Sequence, residues 1–238
     1  MGKPSQPAGS RQDRLRPAGA SGHRQRLRER FLAGGPEALA DYEMLEMLLF
    51  GAIRQGDVKP LAKRLIAAFD GLGGVLSAAP ERLREVGLGD ASIAAVKVAQ
   101  AAALYLIRVE LRQQPLLSSW QALLDYCQAS MARAATEEFR VLFLDRKNRL
   151  IADEIQQRGT VDQAAVYPRE VMKRALELGA SALILAHNHP SGDPTPSKAD
   201  IEVTKQVIAA AEPLGIVIHD HIVVGHGKHS SCRALGLI

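Results

Sequence analysis

The chain has 238 residues, 47% apolar and 24% charged, which suits one large or two small globular domains with a buried core. Aromatic residues make up 4%, leaving little for stacking on single-stranded nucleic acid, and no uninterrupted apolar run approaches the roughly 20 residues that cross a bilayer. The net charge of +4 is uneven: residues 1–30 carry +6, so the remainder is −2 and offers nucleic acid no general basic face.

The basic N-terminal text is not followed by the apolar core of a secretory signal. Cys127 and Cys232 fit no zinc or redox spacing and read as two buried thiols in the reducing cytoplasm. Residues 1–22, rich in Gly, Pro, Ser and Arg, read as a disordered basic tail that is solvated or touches an anionic partner. Leu39, Tyr42, Leu45, Leu48 and Leu49 recur at helical spacing over residues 37–50. A second helix follows Pro60, with Leu61, Leu65 and Phe69 on one face. Glycines 71, 73 and 74 break it, a short helix follows Pro80, and a long Ala-rich helix covers about residues 90–111. Residues 23–114 thus read as a small all-helical domain, ended at Pro115 because proline disfavours helix at the residue before it.

Residues 115–238 change texture, which places the chain in the α+β class. A helix over 117–131 is followed by a strand pair, 138–144 and 150–155, across a charged turn. A helix starts near Pro168 and ends at Gly179; the apolar run 182–186 reads as a buried strand, and a helix over 198–211 precedes strands at 216–218 and 221–224.

The densest signal follows the buried strand: His187-Asn188-His189, seven residues, then Ser197 and Asp200. Residues two apart on a strand share a face, so both imidazoles can reach one point, and the proline-stiffened loop can return a carboxylate to it. Two neutral imidazoles, one carboxylate and an open position make a catalytic rather than a structural zinc site. His219-Asp220-His221 has the same opening spacing, but His229 and Cys232 stand where the serine and aspartate would be. That pair reads as no metal site. Ser197 and Asp200 also read as a helix N-cap with an acid in the first turn, a role that needs no metal. Upstream, Glu137 and Glu138 are equal candidates for an acid–base carboxylate, since strand alternation alone does not say which faces the histidines. Asp193 reads as a turn residue, and His226 and His229 as surface residues.

This frame, with a glutamate on an upstream strand, resembles the JAMM (MPN+) metalloprotease signature. The text around it looks like the bacterial RadC family: Glu138-Phe139-Arg140-Val141-Leu142-Phe143-Leu144-Asp145, Gly159-Thr160, Pro168-Arg169-Glu170, the 187–200 block and Asp220-His221-Ile222-Val223-Val224-Gly225. The resemblance implies a helix-hairpin-helix-like domain followed by a JAMM/MPN domain of cytidine-deaminase-like fold. It implies one zinc ion per chain on His187, His189 and Asp200, with Glu138, chosen by the family's Glu-Phe pattern, handling the water. Ser197 would donate to the oxyanion, and the substrate would be a peptide or protein, cut at a peptide or isopeptide bond. The alternative carried by the RadC name is a DNA-associated repair or recombination factor with a structural or vestigial metal. The hairpin-like turn Gly87-Leu88-Gly89 departs from a good DNA binder at Asp90, Ser92 and Ile93, where proline, lysine and alanine are usual. Asp220 and His221 have no implied role beyond hydrogen bonding to a ligand. The sequence names no particular substrate and no oligomeric state.

Overall fold

The structure, a computed structural model, describes residues 18–113, 115–118, 120–159 and 166–238; residues 1–17 of the tail and Thr160 lie outside them. Helix α1 (Ala18–Gly34) begins inside the stretch expected to be disordered. Its Leu27 is buried with Phe50 and Val58, an anchorage that its polar local sequence does not announce. A 3-10 turn at Pro36–Ala38 delays the next helix, so α2 runs from Asp41 to Leu49. Then come α3 (Lys59–Phe69), α4 (Leu72–Ser77), α5 (Pro80–Glu85) and the long α6 (Asp90–Gln113). Leu45, Leu49, Leu65, Val75, Leu83 and Val96 form the core of this helical part.

The second part is a five-stranded sheet of β1 (Glu137–Leu144), β2 (Leu150–Gly159), β3 (Ala182–Asn188), β4 (Val217–Gly225) and β5 (Lys228–Ser231), in the order β2-β1-β3-β4-β5. Among the described residues, β3 and β4 are the one parallel pair. Side-chain alternation sorts the strands between two layers. Leu142, Leu144, Ile184, Ala186, Ile222 and Val224 pack towards α7 (Trp120–Met131). Phe139, Val141, Phe143, Leu183 and Leu185 pack towards α8 (Pro168–Leu178) and α9 (Lys198–Ala211). The C-terminal segments expected as two strands are one, interrupted by a bulge: Leu183 pairs with Ile218, but Ile184 pairs with Asp220, leaving His219 over. The helical N-terminal region followed by this mixed sheet is the expected α+β arrangement.

The expected boundary at residue 114 does not divide the packing. Leu111 is buried in the core beneath the sheet, with Leu104 and Ile107 packed against it. Arg108 donates to the Tyr126 hydroxyl at 2.8 Å. One helix therefore enters both cores. By length and composition alone α6 could cross a membrane; Ser92, Lys97 and Gln100 interrupt its apolar text, so no uninterrupted run marked it. Its ends are instead built into protein, with Ile93 and Val96 in one core and Leu111 in the other. A second staple joins the parts where Arg133 Nη1 donates to the Phe69 carbonyl at 3.1 Å.

Candidate metal centre

Pairing between β1 and β3 decides which glutamate faces the histidines. Phe139 lies directly opposite His187, and opposed residues share a face. Glu137, two residues back, therefore shares that face, and Glu138 points to the other. The structure gathers Glu137, His187, His189 and Asp200, with one potential ligand atom from each lying within 4.8 Å of the others. Strand parity thus brings Glu137 into the cluster and leaves out Glu138, the glutamate expected there. The Glu138 carboxylate lies 3.0 Å from Arg158 and 3.7 Å from Arg140, outside the cluster. Asn188, fully buried between the two histidines, accepts from the Glu138 N–H at 2.8 Å and donates to the Thr136 carbonyl at 3.2 Å. Its amide clamps the chain on both sides of Glu137.

Both histidines are turned by fixed partners. His189 Nδ1 lies 2.7 Å from the Asp193 carbonyl oxygen, which only accepts, so Nδ1 carries the proton and Nε2 is bare. His187 Nδ1 lies 2.8 Å from Nε2 of the buried His221. The two Nε2 atoms are 2.9 Å apart and lie 3.3 Å (His187) and 3.5 Å (His189) from Asp200 oxygens. These separations bracket the edge of about 3.3 Å that donors about 2.0–2.1 Å from zinc make in a tetrahedron. Glu137 Oε2 is buried and has no hydrogen-bond partner among the described residues. Two carboxylates gathered with bare imidazole nitrogens are an assembly of bases, a set that a bound cation would stabilise. The residues could hold a metal ion.

Ser197 caps α9: its hydroxyl oxygen accepts from the Asp200 N–H at 3.1 Å, while Asp200 Oδ2 accepts from the Ser197 N–H at 2.7 Å. The cap and the metal-facing carboxylate are one device, and the Ser197 hydroxyl proton remains free to donate. The Asp193 carboxylate closes a turn on Thr195. His226 and His229 are exposed, and the Gly192 backbone, at φ +84°, packs against the His226 ring. The second H-x-H pair splits at the bulge. His219 reaches Asn148 at 2.7 Å, whereas His221 lies behind His187, and burial lowers its pKa well below the ordinary value. Asp220 is buried and binds Ser231 and the Arg233 N–H. The His221 contact was legible only as a vague expectation, because the bulge that brings it behind His187 has no sequence signal.

The cluster opens into a cleft of about 490 Å³ lined by Thr136, Glu137, His189, Ser197 and Asp200. A second cavity of about 380 Å³ shares Ala135 and Pro190 with it and is walled by Phe69, Ala79 and Arg82 from the helical part.

Residues 117–237 match the RadC-like JAB domain family, and residues 21–94 match the UPF0758 N-terminal domain. A UPF0758 protein of Rhodobacter capsulatus is 63% identical over 213 residues, covering 89% of this chain and 100% of the relative. Another, from Ruegeria pomeroyi, is 56% identical over 217 residues, covering 91% of this chain and 97% of the relative. These matches span the helical part, the sheet and the four clustered side chains, and the chain belongs to the UPF0758 proteins, the RadC-like JAB-domain family.

Proposed function

We propose that this chain is a zinc-dependent metallopeptidase of the JAMM type that hydrolyses peptide or isopeptide bonds of protein substrates in the cytoplasm. The observation that carries the reading is the gathering of Glu137, His187, His189 and Asp200, one potential ligand atom from each within 4.8 Å of the others, with Glu137 Oε2 buried and unpartnered among the described residues. His187, His189 and Asp200 would hold the metal. A zinc ion there supplies a Lewis acid and lowers the pKa of water from about 16 to about 7. Glu137, not a ligand in this reading, accepts the proton of the attacking water and returns it to the leaving amine. Ser197, its oxygen fixed by the Asp200 N–H, donates its hydroxyl proton to the developing oxyanion, a contact worth about 3 kcal/mol. The cleft of about 490 Å³ is open enough for an extended chain to lie across this line of groups.

Metal analysis and cleavage of a peptide pool test the reading. The wild-type chain is expected to carry one zinc, His187→Ala none, and Glu137→Gln zinc without hydrolysis. Glu138→Gln is expected to keep both. Retained turnover in Glu137→Gln removes the base from that position. The alternative, a DNA-associated factor, predicts salt-sensitive duplex binding. Asp90 at the start of α6, paired with Arg84 at 3.0 Å, disfavours the phosphate contact it would use.

A further inference from the structure

His221 is fully buried on β4 and stands outside the set of side chains that would hold the metal. It is nevertheless the middle of a hydrogen-bond chain with a fixed end. Thr204 lies one helical turn after Asp200 on α9, and its hydroxyl is 2.5 Å from the Asp200 main-chain carbonyl. A carbonyl only accepts, so the single hydroxyl proton of Thr204 is committed there. The Thr204 oxygen, 2.6 Å from His221 Nδ1, can then only accept. With the ring neutral, His221 carries its proton on Nδ1 and presents a bare Nε2. That nitrogen is 2.8 Å from His187 Nδ1, which must donate. What remains on His187 is a bare Nε2, the atom that faces His189 and Asp200.

We propose that Thr204 and His221 are positioning residues that lock His187 in the one tautomer able to bind a metal, through a relay anchored on the main chain of Asp200. The lock concerns proton placement and stands on the hydrogen bonds alone; its use rests on the metallopeptidase reading. One relay ties the β3 histidine to the α9 aspartate, so two members of the set are aligned together. Groups that fix a histidine from behind typically change metal affinity 10- to 100-fold when removed.

The full-length chain tests this with a conservative pair, because His221→Ala would also leave a cavity. Long-range ¹H–¹⁵N correlation spectra of the metal-free protein at neutral pH are expected to show the Nδ1–H tautomer for both His187 and His221. Thr204→Val, nearly equal in volume, is expected to mix the tautomers and weaken zinc binding, measured by chelator competition, by roughly 10–100-fold. Thr204→Ser is expected to restore both. An Nε2–H tautomer of His187 in the wild type, or unchanged tautomers and affinity in Thr204→Val, overturns the proposal. A wild-type chain that takes up no zinc overturns the metallopeptidase reading, and the tautomers in wild type and Thr204→Val still decide the lock. Expected tautomers and affinities without cleavage of any peptide sink only the peptidase.

Discussion

A methyl group at Gly225 would sit 2.2 Å from the Gly192 carbonyl oxygen, a contact that backbone cannot relieve without moving. Gly192 belongs to the loop whose Asp193 carbonyl turns His189. Gly225→Ala is therefore expected to cost about 1–3 kcal/mol in urea unfolding and to weaken metal retention as the loop shifts. The two thiols make a second prediction. Burial pushes Cys127 up to about 12 and Cys232 to about 11, so neither should react with a thiol reagent at pH 8 until the chain is denatured. At this scale the sequence showed the His187, His189 and Asp200 frame because two-residue spacing and a capped helix start are local facts. It did not separate Glu137 from Glu138. Their difference is which side of β1 they occupy, and that is fixed by Phe139 lying opposite His187, 48 residues away in the chain. The bulge at His219 is a pairing fact of the same kind.

Among the elements, α9 has the ends its sequence suggests, since Ser197 supplies the cap and the apolar period begins at once. Strand β5 (Lys228–Ser231) was not legible: it is short, polar and at an edge, so no hydrophobic alternation marks it. Strand β1 is buried from Phe139 to Leu144, and Phe143→Ala, at a fully buried position, is expected to cost about 3–5 kcal/mol in denaturant unfolding. Elements are also joined by ion pairs with a pH signature. Hydrogen bonds from Arg30 (α1) hold Glu43 (α2) below its ordinary value of 4.5, and those from Arg174 (α8) do the same for Glu154 (β2). A depressed carboxyl pKa stabilises the fold above the unfolded value and is lost as pH falls through the folded one. The stability these two ion pairs supply should therefore be complete above about pH 5 and fade below about pH 4.5, seen in thermal melts as a shallower decline over that acid range in Glu43→Gln and Glu154→Gln than in the unsubstituted chain.

For the whole molecule, the change of texture near residue 115 was plain in the sequence, but where packing divides was not, because helical periodicity does not say which neighbour each turn meets. Leu111 and Arg108 precede that boundary yet serve the sheet side. A fragment of residues 115–238 is expected to melt several degrees below one of residues 100–238, and Leu111→Ala in the full chain to cost about 2–5 kcal/mol. Helix α6 spans both cores as one unbroken rod of 24 residues, which leaves no hinge between them. Swinging the N-terminal helices aside would mean bending that rod or pulling Leu111 and Arg108 out of their seats. Anything those helices grip is consequently held at a constant offset from the Glu137 mouth, as a workpiece is held in a jig.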